Sequence, residues 1–181
     1  MGQPKAGVAL AGRPLIAYPI EAARSAGLDP VVVAKRESEL PPLECPVIRD
    51  TDARAHPAAG ILAALRAGDG APVVVLACDT PFVPAELLQL LAGVDAPTAV
   101  PMVGGRLQPL MARYGRSATP ALQNAIERGE PLHEAIGALD PLVLGSEDLA
   151  SFGDPDRILF NVNDANDLAA AERLMATAAS G

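Results

Sequence analysis

Short apolar runs alternate with helix-like segments along most of the chain. The runs are rich in Val, Ile and Leu and too short for stable helices, so we expect strands at positions 30–34, 45–50, 71–78, 98–103, 108–114 and 140–145. Apolar residues at helical spacing predict helices over positions 14–27, 60–68, 85–93, 117–129, 131–139 and 163–179. The run "VVVLAC" at 73–78 contains no charged residue and is typical of a strand that is buried on both faces.

Local signals refine the helix ends and the arrangement of the elements. Gly27 follows the first helix because glycine accepts the left-handed conformation, and Pro19 predicts that this helix begins at or just after itself. Asp164 or Asn163 is suited to cap the last helix. Strands that alternate with helices in this way predict a three-layer α/β fold, with a mostly parallel sheet covered on both sides. We expect a single domain over residues 1–181.

Composition narrows the class of partner and the cellular compartment. Half of the residues are apolar but only 3% are aromatic, so the core is expected to consist of closely packed Ala, Val and Leu. The net charge of -8 argues against a nucleic-acid-binding surface, which needs clustered Lys and Arg. Cys45 and Cys78 form no metal-binding pair and are read as reduced core residues. Because no apolar run is long enough to span a bilayer and the first residues lack a secretory pattern, we expect a cytoplasmic protein without membrane contact.

Asp79 is the strongest candidate for chemistry. It follows an apolar strand at the edge where open parallel sheets bind ligands. A carboxylate held there suits Mg²⁺, which prefers oxygen ligands. The alternative is a structural Asp in the turn before Thr80 and Pro81. Asp50 ends the preceding strand, so the two carboxylates are expected to meet in one crevice, unless Asp50 is simply a solvated turn residue.

Five further residues are weaker candidates for a ligand site, because each also has an ordinary structural explanation. Lys5 lies in a turn and is suited to a phosphate, although most terminal lysines are solvated. Gly60 either starts a helix or allows a ligand to approach the backbone, and His56 is read as a loop histidine. Asn161 and Asn163 share one face of an extended segment and are candidates for a polar ligand.

Six segments in order resemble the molybdenum cofactor guanylyltransferases, a group within the MobA-like nucleotidyltransferases with a Rossmann-like fold. They are "MGQPKA", "GRPLI", "HPAAGILAAL", "VVVLACDTPFVP", "GRLQPLMARY" and "NVNDANDLAAAE". The resemblance implies transfer of GMP from Mg·GTP to molybdopterin or its molybdenum form, with release of pyrophosphate. It implies that Asp79 binds Mg²⁺, that Lys5 neutralises the triphosphate and that Asp50 contacts the guanosine.

The resemblance also implies an acceptor side and further partners. Gln108, Asn161 and Asn163 would line the pterin side, and Gly60 would lie in the nucleotide site. Molybdoenzyme maturation proteins are further partners that the resemblance implies. In terms of general chemistry, such a transfer needs positioning and charge neutralisation more than a covalent nucleophile.

Several departures from the family pattern leave alternatives open. Ala34 or Lys35 stands near the expected base contact, so a cytidylyltransferase or a transferase with another acceptor is an alternative. "HPAAG" replaces the more usual "GPLAG", and "PLHEAI" replaces a serine- and arginine-bearing form.

The largest departure is an absence: the family signature is a strand followed by a glycine-rich loop of the form LAGGxSxRMGxxK, and this chain starts at the Met and Gly near the end of that motif. We therefore expect a sheet without its first central strand, and a native chain that begins upstream. Without a phosphate loop, the alternatives to an active enzyme are a regulatory protein that binds only the acceptor, and a poorly folded fragment.

Overall fold

The computed structural model describes residues 5–50, 52 and 54–178. Its strands are β1 (Ala9–Leu10), β2 (Arg13–Pro14), β3 (Val32–Lys35), β4 (Val47–Asp50), β5 (Val73–Leu76), β6 (Thr98–Val103), β7 (Arg106–Leu107), β8 (Met111–Tyr114) and β9 (Leu142–Leu144). Its helices are α1 (Ala17–Ser25), α2 (Pro57–Ala67), α3 (Ala85–Gly93), α4 (Thr119–Arg128), α5 (Leu132–Gly137), α6 (Ser146–Ala150), α7 (Pro155–Ile158) and α8 (Ala165–Ala178). Residues 1–4, which begin the segment "MGQPKA", lie outside the described part.

Strand β8 organises the main sheet. It pairs with both β5 and β6, and the strand order is β5-β8-β6-β7. Strand β9 pairs with residues 99–101 of β6. Strands β1 and β2 form a separate hairpin, and β3 and β4 form a separate parallel pair. The hairpin also packs against helices, because β1 contacts α8 and β2 contacts α1.

The expectation of a mostly parallel sheet is wrong. Among the described pairings, only β3 with β4 and β6 with β9 are parallel, whereas β5 with β8, β6 with β8 and β6 with β7 are antiparallel. The cause is the turn at Gly104 and Gly105, whose positive φ angles of 57° and 74° reverse the chain directly after β6. The short segment from there to β8 contains no helix, and a parallel crossover needs one.

Helices cover both faces of the main sheet. Side chains of β5 alternate between two cores: Val73 and Val75 contact the cluster formed with α2, α4 and α5, whereas Val74 and Leu76 contact the cluster formed with α1, α3 and α6. This period of two is the side-chain alternation of a strand between two layers. The three-layer α/β arrangement predicted from the sequence is confirmed.

Strands β3 and β5 both pack against α2 but do not pair with each other. Among the described residues, the main sheet and the β3–β4 pair are therefore separate ladders. All four residues of β5 are half-buried, although the apolar sequence predicted full burial. Among the described strands, β5 pairs with β8 alone, and a strand at the edge of a sheet is partly exposed.

The predicted start of α1 is wrong, whereas the predicted cap of α8 is confirmed. Helix α1 begins at Ala17 rather than at or after Pro19. The proline fits within the first turn because the N–H it lacks would have no helical partner there. Asp164 caps α8, as predicted: its Oδ1 accepts hydrogen bonds from the amides of Asn166 and Asp167, at 2.7 and 3.0 Å.

His56 is not a simple loop residue, because it caps the start of α2. Its Nδ1 accepts a hydrogen bond from the Ala58 amide at 3.2 Å, so Nε2 carries the hydrogen and donates to the Glu130 carbonyl at 2.9 Å. One side chain thus satisfies a free helical N–H and joins α2 to the end of α4.

Both cysteines are free and half-buried rather than in the core. Among the described residues, no helix combines the length and apolar character that crossing a bilayer requires.

Replacing His56 by Ala should lower the free energy of unfolding by about 1 kcal/mol, because the cap of α2 is lost. His56→Asn should recover part of this loss, since the amide oxygen can accept the same hydrogen bond. Chemical denaturation of the three proteins measures the difference. Equal stability of the Ala variant and the wild type would contradict the capping role.

Candidate functional site

Three predicted site residues from distant parts of the chain meet at one point. The Lys5 Nζ lies 3.3 Å from Asp79 Oδ2 and 2.8 Å from Asn163 Oδ1. The side chain of Asp79 is 18% exposed and that of Lys5 is 42% exposed, so the ammonium is accessible and the carboxylate is partly shielded. Two oxygen atoms therefore converge on a position that a cation occupies.

The backbone around Asp79 fixes the carboxylate. The Ala77 amide donates to the Leu110 carbonyl at 2.8 Å, which extends the pairing between β5 and β8 beyond Leu76. The Thr80 hydroxyl then donates to the Ala77 carbonyl at 2.8 Å and closes the turn. Since Thr80 is 4% exposed, this bond is protected from water. Asp79 thus stands at the end of a strand, as predicted.

The segment carrying Asn163 is tied to the same turn. The amide of Val162, which is fully buried, donates to the Asp79 carbonyl at 2.9 Å. The Asn163 amide donates to Asp167 Oδ2 at 2.8 Å, which anchors the segment to the first turn of α8. The position of Asn163 is therefore determined on both sides.

This cluster, Lys5–Asp79–Asn163, fits a hard cation. Carboxylate and amide oxygens are ligands that Mg²⁺ accepts, and Mg²⁺ at nucleotide sites often uses one or two carboxylates together with substrate phosphates. No group of three or more His, Cys, Asp or Glu suited to a metal ion occurs in the described part of the chain. The arrangement thus suits a metal that arrives with phosphate oxygens rather than a cage made by protein alone.

Asp50 belongs to a second cluster. Its Oδ2 accepts a hydrogen bond from Lys35 Nζ at 2.6 Å, and its Oδ1 accepts one from the Asp52 amide at 2.9 Å. The ammonium also donates to the carbonyls of Asp52 and Arg54, at 2.8 and 2.9 Å. All three donors of Lys35 are used, and no described hydrogen bond or ion pair joins Asp50 to Asp79.

A polar cavity of about 350 Å³ lies beside this second cluster. Asp50, Asp52 and Arg54 line one wall, and side chains of α2 and α4 line the others. The hydrogen-bonded Arg54 guanidinium lowers the pKa of the Asp52 carboxyl well below its ordinary value, so Asp52 is ionised at neutral pH. None of Lys5, Asp79 and Asn163 lines this cavity.

Of the remaining predicted site residues, Asn161 is hydrogen-bonded to the first cluster through its carbonyl, whereas the described hydrogen bonds do not join the Gln108 side chain to it. Gln108 donates to the Arg106 carbonyl at 3.3 Å, and Asn161 donates to the Leu159 carbonyl at 3.2 Å. The Asn163 side chain reaches the Asn161 carbonyl at 3.5 Å, so the two asparagines remain neighbours. A Cβ on Gly60 would lie 3.9 Å from Val33, an ordinary contact, so packing does not require glycine there.

Cys78 precedes Asp79 but is unsuited to nucleophilic chemistry. Burial raises the pKa of its thiol, and the neighbouring Asp79 charge raises it further. The thiol is therefore protonated at neutral pH and is a poor nucleophile.

The sequence analysis did not identify the pairing of Lys35 with Asp50. A usable signal was present: β3 ends in a lysine, β4 ends in an aspartate, and parallel pairing makes these two residues register partners. It also did not identify Arg157, which lies over the ring of Phe82.

Comparison with known proteins identifies the family of the chain. Residues 1–141 match the model of the MobA-like NTP transferase domain. The chain belongs to this family. A molybdenum cofactor guanylyltransferase from Pseudomonas putida is 32% identical over 87% of each chain. A probable molybdenum cofactor guanylyltransferase from Carboxydothermus hydrogenoformans is 30% identical over 90% of this chain and 84% of its own.

Solved structures share the α/β nucleotidyltransferase fold. Molybdopterin-guanine dinucleotide biosynthesis protein A from Archaeoglobus fulgidus superposes with a TM-score of 0.78 at 28% identity, covering 97% of this chain and 92% of its own. The 2-C-methyl-D-erythritol 4-phosphate cytidylyltransferase from Thermus thermophilus gives a TM-score of 0.70 at 20% identity, over 94% of this chain and 93% of its own. At that identity the second match concerns the fold alone.

Replacing Lys35 by Met should lower the free energy of unfolding by about 2 kcal/mol, between the values typical of exposed and of buried pairs. The reason is that Asp50, 9% exposed, would keep its charge without its partner. Adding Asp50→Asn to Lys35→Met should recover part of the loss. Urea denaturation measures all three proteins.

The pair of Arg13 with Glu21 provides a matched control for this prediction. It has the same 2.6 Å separation, but both side chains are more than half exposed. Arg13→Met should therefore cost about 0.5 kcal/mol or less. If both methionine variants lose the same stability, burial of Asp50 does not strengthen its pair.

Proposed function

We propose that this protein transfers GMP from Mg·GTP to the terminal phosphate of molybdopterin or its molybdenum form, producing the guanine dinucleotide and pyrophosphate. An oxygen of the acceptor phosphate attacks the α-phosphorus of GTP and forms the new P–O bond. The bond between the α-phosphorus and its bridging oxygen breaks, and pyrophosphate leaves with that electron pair. The relatives named molybdenum cofactor guanylyltransferases support this choice of donor and acceptor.

The convergence of Lys5, Asp79 and Asn163 is the observation that carries the proposal. Phosphoryl-type transfer depends on placing the reactants and on neutralising charge that develops in the transition state. A cation and two oxygen ligands at the end of β5 supply these needs without a covalent nucleophile. The protonated thiol of Cys78 is consistent with such a mechanism.

The protein residues have distinct roles in this proposal. Lys5 releases its contacts with Asp79 and Asn163 and places its ammonium against the triphosphate, where it neutralises charge. Asp79 holds Mg²⁺ at the turn fixed by Thr80, and the metal when bound supplies further neutralisation of phosphate charge. Asn163 orients polar groups of the acceptor, together with Asn161 and Gln108.

The nucleoside side of the proposal lies near Asp50 and α2. Both oxygens of Asp50 already accept hydrogen bonds, so we propose that it acts on the guanosine through the loop that it anchors with Lys35. Gly60, which packing does not require, is the proposed point of close approach by the nucleotide. The choice between guanine and cytosine depends on this loop.

The decisive assay offers GTP, CTP and ATP separately to the protein with molybdopterin and Mg²⁺, and measures pyrophosphate and the dinucleotide product. We expect turnover with GTP and turnover lower by about tenfold or more with CTP and ATP. Higher turnover with CTP would instead identify a cytidylyltransferase. Calorimetry with Mg·GTP and with molybdopterin identifies a regulatory binding protein, which would bind the acceptor alone.

Asp79→Asn should reduce guanylyl transfer by about 100-fold or more, because a neutral amide is a weak ligand for Mg²⁺. Its melting temperature should remain close to that of the wild type, since the only described side-chain bond of Asp79 is the one from Lys5. Asp95→Asn, at an exposed position, is the matched control and should retain full activity. Metal-dependent turnover at the wild-type rate in the Asp79 variant would refute the metal role.

A further inference from the structure

Arg157 differs from the other arginines of the described chain in its environment. Only Arg113 and Arg157 are half-buried, and the remaining arginines are exposed. Arg113 donates to the carbonyls of Ala96 and Ala92 and is thereby satisfied. For the Arg157 guanidinium, the described residues provide no acceptor, and its described contact is with the ring of Phe82, 5.1 Å from the centroid.

The aromatic contact holds the charge in place without using its hydrogen-bond donors. Phe82 packs edge-on against Phe160, with centroids 6.0 Å apart and an interplanar angle of 64°. A cation over such a ring is attracted to its face, while its N–H groups stay free to donate. The neighbouring Ile158 is 3% exposed and anchors α7 in the core. The backbone at Arg157 is thus fixed.

Phe82 and Phe160 come from two of the three segments that form the first cluster. Phe82 lies in the turn that follows Asp79, and Phe160 directly precedes Asn161. The hydrogen bond from the Val162 amide to the Asp79 carbonyl joins the two segments. Arg157, in α7, therefore contacts the turn that carries Asp79 and lies shortly before Asn161 and Asn163 in the chain.

Three carboxylates close to Arg157 in sequence accept backbone hydrogen bonds. Asp154 accepts a hydrogen bond from the Asp156 amide at 3.1 Å and caps α7. Asp164 and Asp167 accept bonds from amides at the start of α8. Among the described residues, no hydrogen bond or ion pair joins these carboxylates, or that of the adjacent Asp156, to the Arg157 guanidinium, so its donors are available to an external anion.

We propose that Arg157 binds the phosphate monoester of the acceptor, as a recognition residue beside the Lys5–Asp79–Asn163 cluster. This inference rests on the proposed function for the identity of the acceptor. Two phosphate-bearing molecules must approach the same site, and Lys5 is assigned to the triphosphate. Arginine suits the second phosphate because its planar guanidinium can donate two parallel hydrogen bonds.

The kinetic test compares the wild type with Arg157→Met, Arg157→Lys and the control Arg128→Met, at an exposed position at the end of α4. In Arg157→Met the KM for molybdopterin should rise about 10- to 100-fold, the range expected for loss of a charge-assisted hydrogen bond. The KM for GTP and the melting temperature should stay within error of the wild type. Arg157→Lys should restore part of the loss, and Arg128→Met should change nothing.

A purely structural role would have a different signature. The melting temperature would then fall, or both KM values would rise together. Either result overturns the proposal, as does a KM for molybdopterin within twofold of the wild type. If the wild type transfers no guanylyl group, the proposed function fails, and a binding measurement still tests Arg157.

That measurement titrates phenyl phosphate, an aromatic phosphate monoester, into the same proteins by calorimetry without nucleotide or Mg²⁺. We expect the wild type and Arg128→Met to bind it equally and Arg157→Met to bind about tenfold more weakly. Equal binding by Arg157→Met, or no binding by the wild type, would overturn the assignment of a phosphate to Arg157.

Discussion

The helical layers that cover both faces of β5, β6 and β8 are the constraint on which the rest of the structure depends. Alternate side chains of β5 enter opposite cores, so a helical layer must cover each face. Because the sheet is held between two helical layers, the position and direction of the end of β5 are fixed. The turn after Leu76 then delivers Asp79 to one edge, where the buried Val162 amide holds it.

The sequence predicted features that depend on residues close together in the chain. It was less informative about features that depend on which strands pair with each other. Apolar spacing predicted the helices and strands, and Asp164 was identified as a cap because capping involves neighbours along the chain. The order and direction of strands depended on the turn at Gly104 and Gly105, which an α/β pattern does not reveal. For the same reason the half-exposed state of β5 was missed: burial of a strand depends on which strands flank it.

In the two clusters, likewise, the sequence identified single residues but not the contacts between them. Lys5, Asp79 and Asn163 were identified individually from their positions after structural elements, yet their direct contact depends on how the N-terminal hairpin and α8 pack together. Lys35 was noted only as a departure from a family pattern. Its pairing with Asp50 follows from parallel register, a relation between strands that no single run of residues contains. The sequence could not single out Arg157, because what distinguishes this arginine is that its guanidinium has no hydrogen-bond acceptor among the described residues.

The separation of β3 from β5 has a mechanical consequence. No backbone ladder among the described strands joins the half of the molecule that carries Asp50 to the half that carries Asp79, and packing against α2 connects both. Side-chain packing yields to small sliding motions more readily than a ladder of backbone hydrogen bonds. The distance between the two carboxylates is therefore set by how side chains pack on α2, and not by a strand pairing.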